Sequence, residues 1–113
     1  MKSANFDEFQ EKLAILLNKS IKNSKIKKKQ IAELIGVSAA YMTQISTKNK
    51  KLPSPKTLRN IVKIIEDKCN NSNFEEEVEE AIAKYENVNY RIQYHAYKAI
   101  ESCKDVELLF KNL

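Results

Sequence analysis

A single glycine, Gly36, separates two short apolar-periodic segments in a chain of 113 residues. Glycine enters the left-handed backbone region without a Cβ penalty, so this chain has one low-cost place for such a turn. Before it, Ile31, Ala32 and Ile35 share a face at helical spacing; after it come Val37 and then Met42 and Ile45, again on one helical face. Ser38 stands where the second of these helices needs an N-cap. The only other strong turn formers are two prolines, too few for an all-β chain with a turn every few positions. The chain therefore reads as all-α.

Helical periodicity extends over most of the remainder. Phe9, Leu13, Leu16, Leu17 and Ile21 form one stripe of a helix beginning near Phe6 and fading into Lys22-Asn23-Ser24-Lys25. Ser54-Pro55 supplies an N-cap and a first helical residue, and Leu58, Ile61, Val62 and Ile65 follow as the apolar face. That helix is expected to end near Asn70-Asn71, with Asn70–Asn73 as a polar break. Beyond the break, Phe74, Val78, Ile82 and Tyr85 mark a helix that opens in a run of glutamates, a charge suited to the positive helix end. Asn87 to Asn89 is expected to break it. A last helix carries Ile92, Ala96, Ala99, Ile100, Cys103 and Val106 and reaches toward Phe110.

Charge divides along the same line. Met1 to Asn71 holds fifteen Lys and Arg against six Asp and Glu, a net +9, while Ser72 to Leu113 holds five against nine, a net −4. The contrast suggests two regions: a basic one, residues 1–71, facing a polyanion, and an acidic helical arm, residues 72–113. No apolar run is longer than five residues, and the start is polar, so neither a membrane span nor a secretory leader is expected. Cys69 and Cys103 lie 34 positions apart without CxxC partners, which argues against a disulfide scaffold or zinc cluster and for a reduced, cytoplasmic chain without metal or cofactor. His95 is the sole histidine, and there is no Ser/His/Asp set, metal-ligand spacing or Gly-rich phosphate loop. The expectation is a binding protein and no enzyme.

The run KKKQIAELIGVSAAYMTQI, followed by LPSPKTLRNIVKII, resembles the Xre/Cro-repressor-type helix-turn-helix domain of bacteria and phages. The resemblance covers roughly Phe6 to Asp67. It implies a lambda-repressor-like helix-turn-helix bundle, here with an appended C-terminal helical arm, whose third helix enters the major groove of double-stranded DNA. The chain departs from the family pattern at three places. Lys27-Lys28 stands where Thr-Gln is usual, Ser46 where Glu is usual, and Lys48 with one extra residue where the following loop usually has Gly.

Lys27, Lys28 and Lys29 crowd the positive end of their helix, where each cation is disfavoured by roughly 0.3 kcal/mol or more. A DNA backbone turns that repulsion into attraction, so these lysines are expected at phosphates. Ser38, Tyr41 and a second cluster, Lys48, Lys50 and Lys51, are expected to join them, with Tyr41 placed either there or packed at the domain edge. By the resemblance, Ala39, Ala40 and Gln44 match base-contacting positions, and Thr43 shares their outward face. Gln44 can bond an adenine edge while the alanines touch thymine methyls. The arm has no motif. Its apolar residues are expected either to pack back on the fourth helix or to self-associate through Ile92, Tyr97, Ile100, Leu109 and Phe110. Together these readings describe a sequence-specific transcriptional regulator, a dimeric repressor. The alternative is a protein-binding module, an antitoxin or phage-encoded inhibitor, that binds a protein partner through the fold and its acidic arm.

Overall fold

A computed structural model describes residues 3–69 and 73–111, with side chains of the last helix described through Cys103. Six helices follow in order: α1 (Phe6–Lys22), α2 (Lys28–Ile35), α3 (Ala39–Ile45), α4 (Pro55–Lys68), α5 (Phe74–Lys84) and α6 (Val88–Lys111). Among the described residues there is no β-strand; Ala4 and Tyr85 form an isolated bridge. Nor is any helix among them long and apolar enough to cross a membrane. Of the expected polar break, Asn70, Asn71 and Ser72 lie outside the described residues.

The helix boundaries have local causes. Asn5 caps α1 by accepting from the Glu8 N–H at 2.9 Å. At the end of α2, Gly36 sits at φ 76°. The Val37 N–H reaches back to the Ala32 carbonyl at 2.9 Å and the Gly36 N–H to the Glu33 carbonyl at 3.4 Å, the paired bonds of a Schellman turn. A Cβ at Gly36 would meet nothing within 4 Å, so glycine is required there by backbone conformation and not by space. Ser38 accepts from the Tyr41 N–H at 3.0 Å to start α3, and Ser54 from the Thr57 N–H at 3.2 Å to start α4, with Pro55 at the first helical position. Asn87 caps α6 by accepting from the Tyr90 N–H, so the helix begins inside the stretch that the sequence marks as a break.

One core draws on all six helices. Phe9, Leu13, Leu16 and Leu17 of α1 meet Ile31 and Ala32 of α2, Met42 and Ile45 of α3, and the buried face of α4. Phe74, Val78 and Ile82 of α5 continue the same core, as do Tyr85, Tyr90 and Tyr94. α5 lies on α1, and α6 on α4. The Phe9 ring stacks on Tyr85 at 4.2 Å between centroids, and Tyr90 meets both rings edge-on at 5.4 Å. The Tyr90 hydroxyl, whose pKa burial raises well above its ordinary value, donates to the Pro53 carbonyl at 2.6 Å and so leaves no orphaned polar atom.

A buried guanidinium ties the last three helices together. Arg59 of α4 donates to Glu101 at 2.9 Å, to the Tyr94 hydroxyl at 3.1 Å and to Glu75 at 3.4 Å. Lys98 bridges Glu75 at 2.6 Å and also pairs with Glu79. Glu66 accepts from the Glu75 N–H, fixing the start of α5. Thus part of the glutamate run that sequence assigns to a helix dipole is engaged in ion pairing between helices.

α6 is rotated differently from what its aliphatic pattern suggests. Tyr90 and Tyr94 face the core, while Ile92 is 61% exposed and Ile100 48%. The tyrosines bring large apolar area, and their hydroxyls find Pro53 and Arg59 inside. Val88, Ile92 and Ile100 are left on the outer side.

Candidate nucleic-acid interface

α3 is a seven-residue helix whose inner face, Met42 and Ile45, is fully buried. Four residues expected to meet bases, Ala39, Ala40, Thr43 and Gln44, are all exposed on its outer face. None is charged. The Thr43 hydroxyl donates to the Ala39 carbonyl at 3.2 Å, and Thr47 does the same to the Thr43 carbonyl, so both hydroxyls point along their own helix. Among the described residues no hydrogen bond engages the Gln44 amide, and the residue is exposed. Ser38, exposed, has its hydroxyl oxygen engaged in the cap of α3.

Two groups of lysines flank α3 in the sequence. Lys27 precedes α2, its N–H held by Gln30 Oε1 at 2.8 Å. Lys28 is half-buried and Lys29 exposed in the first turn, which contains no acidic residue. Among the described residues no ion pair engages Lys27, Lys28, Lys29 or Lys50. Lys48 pairs with Glu11 at 3.1 Å on the surface, where such a pair contributes little. Lys51 places its ammonium 4.9 Å from the centre of the Tyr41 ring. Tyr41 is half-buried against the core, and its hydroxyl interacts with Thr57 and the backbone of Ser54. It therefore braces the start of α4 and carries Lys51 on its ring. Burial raises its pKa, an effect that those two hydrogen bonds offset only in part.

Sequence reasoning missed the residues that hold the second lysine group in place. Gln10 of α1 is completely buried. Its amide nitrogen donates to the Thr47 carbonyl at 2.8 Å and the Lys51 carbonyl at 3.1 Å, and its oxygen accepts from the Asn49 N–H at 2.6 Å. Eight residues further along the same helix, Asn18 donates to the Ser46 carbonyl at 2.6 Å. Ser46 itself is buried, with its hydroxyl on the Met42 carbonyl at 2.7 Å. The signal was present in the sequence. Gln10 precedes Leu13 and Leu17 by three and seven positions, so a polar amide occupies the apolar register of α1.

Of the five positions expected to self-associate, Ile92 and Ile100 are exposed and Tyr97 is half-buried. The side chains of Leu109 and Phe110 lie outside the described residues. The chain matches no protein-family model, no curated protein and no solved structure.

Proposed function

We propose that the chain is a sequence-specific, double-stranded DNA-binding transcriptional regulator, a cytoplasmic repressor that acts as a dimer. In this reading α2, the Gly36 turn and α3 form a lambda-repressor-like helix-turn-helix, and α3 enters the major groove. The observation that carries it is the exposed, uncharged outer face of α3, flanked in the sequence by two basic groups, Lys27–Lys29 and Lys48–Lys51. Gln44 reads an adenine edge and Ala39 and Ala40 touch thymine methyls, while the lysines hold phosphates. A surface with one long polar reader gives moderate, A·T-leaning specificity. Occupying a promoter suffices for repression, and no chemistry is required.

The test is selection of duplexes from a random-sequence library at near-physiological salt, followed by sequencing. The expected product is an inverted repeat with half-sites one helical turn apart, about 34 Å. Retention that is only salt-sensitive, without sequence enrichment, would overturn the reading. A second reading, a protein-binding module, is favoured by one observation: apolar residues stand exposed on α6 of the acidic arm.

A further inference from the structure

α6 carries a second face that the fold leaves uncovered. Ile92, Ala96, Ala99 and Cys103 follow one another at spacings of four, three and four, the seam of a left-handed two-helix contact. All four are exposed, and Val88 and Ile100, 52% and 48% exposed, widen the strip at either side. The strip cannot be a core face that has yet to dock on its own bundle. The opposite side of the helix is already committed there, through fully buried Tyr94 and the Glu101 bond to Arg59. In the sequence the same spacing continues to Val106 and Phe110, and the helix backbone runs on to Lys111.

We infer that this strip is the surface through which two copies of the chain pair, α6 against α6. One observation selects a second copy over a different protein. Over Ile92–Cys103 the positions beside the seam hold Gln93, His95, Ile100 and Ser102, with no carboxylate and no lysine, on a chain in which 31% of residues are charged. Heterologous helix pairs are chosen by complementary charges at those flanking positions, and here there are none to choose with. An identical copy meets the strip with matching spacing and without like-charge repulsion, as a two-fold interface requires. Ala96 and Ala99 at the middle of the strip also let two helix axes approach closely, with Ile92 packing beyond them. The pairing deepens the dimeric reading above by naming its surface, and it moves the contact from half-buried Tyr97 to exposed Ala96, Ala99 and Cys103.

The test uses the full chain without DNA, so that pairing and DNA recognition can fail separately. Light scattering at micromolar concentration is expected to give twice the mass of one chain. Ala99→Glu sets two carboxylates in one seam and is expected to weaken pairing roughly hundredfold, giving the mass of one chain with helical circular dichroism unchanged. Ile92→Glu is expected to do the same, and Ile15→Glu, at an exposed apolar position of α1, to leave the dimer intact. A wild-type chain of single mass under these conditions would overturn the pairing, as would a dimer that survives both α6 substitutions.

Discussion

The side chain of Gln10 accepts a 2.6 Å hydrogen bond from the backbone N–H of Asn49, a residue held at φ 61°. Among the described residues Asn49 is the sole non-glycine with a left-handed backbone, a conformation that asparagine tolerates better than most residues do. The same amide grips the carbonyls of Thr47 and Lys51, so three backbone groups of the loop after α3 converge on one buried side chain. A loop of lysines, which repel one another, is thereby given a fixed path.

Replacing Gln10 by leucine keeps most of the volume and removes every one of these bonds. The expected loss is about 2 kcal/mol of stability, since the stranded loop groups regain water only in part. Urea unfolding measures it. Amide exchange at Asn49 should accelerate in the same variant. A stability within about 0.5 kcal/mol of wild type would deny the clamp its role.

Gly36→Ala should cost about 1 kcal/mol although a methyl group fits the space, because the cost lies in the left-handed backbone. Gly36→Asn should cost less than the alanine variant, and this order of the two is the diagnostic result. Thermal or urea denaturation of both variants decides it.

Arg59 is buried with its guanidinium shared among Glu101, Tyr94 and Glu75. Arg59→Ala leaves carboxylates without their cation and should destabilise by roughly 3 kcal/mol, far more than removal of exposed Lys48.

Stability should also fall in acid, with a defined origin. Burial alone would raise the pKa of Glu75, but the hydrogen bond from Lys98 and the charges of Arg59 and Lys98 hold it below the ordinary 4.5. A depressed carboxyl stabilises the fold fully above about pH 4.5, and that contribution is lost as the pH drops through its folded value. Lys98 behaves in the opposite sense. Its hydrogen bonds to Glu75 and Glu79 raise it above 10.5, so its contribution is complete below that pH and disappears as the pH climbs through the folded value. Glu75→Gln should flatten the acid limb of a pH–stability curve, and an unchanged limb would place its cause elsewhere.

On DNA, Gln44→Ala should relax base preference at one position by about 1–3 kcal/mol. Lys28→Ala should weaken all sequences alike and lower the salt slope by about one. Binding titrations on a selected site and on a scrambled duplex, each at several salt concentrations, separate the two effects. If neither substitution changes affinity, the assigned surface is wrong.

The helices were legible because their punctuation is local. Gly36, Ser38 and Ser54-Pro55 each act within four residues of themselves, and all stand at the ends that their chemistry predicts. Apolar spacing likewise identified the buried faces of α1, α4 and α5. The rotation of α6 was not legible. Its aliphatic spacing and its tyrosines mark opposite sides, and the decision falls to partners remote in sequence, the Pro53 carbonyl and the Arg59 guanidinium. Gln10 and Arg59 were overlooked for the same reason. A polar residue in an apolar register reads as an interruption until the groups that satisfy it are brought alongside. For the outer face of α3, exposure and the adjoining lysines follow from the spacing, whereas the base preferences rest on the family resemblance.

Phe9 and Gln10 are neighbours in sequence, yet they serve different parts of the molecule. One stacks on Tyr85 and meets Tyr90 edge-on at the α5–α6 corner, where Ala4 also bonds across to Lys84 and Glu86; the other grips the lysine loop. A single turn of α1 is thus the common footing of the acidic arm and the basic loop. The lysine loop is consequently no portable peptide. Excised or grafted without α1, it loses the foundation that holds its charges in register.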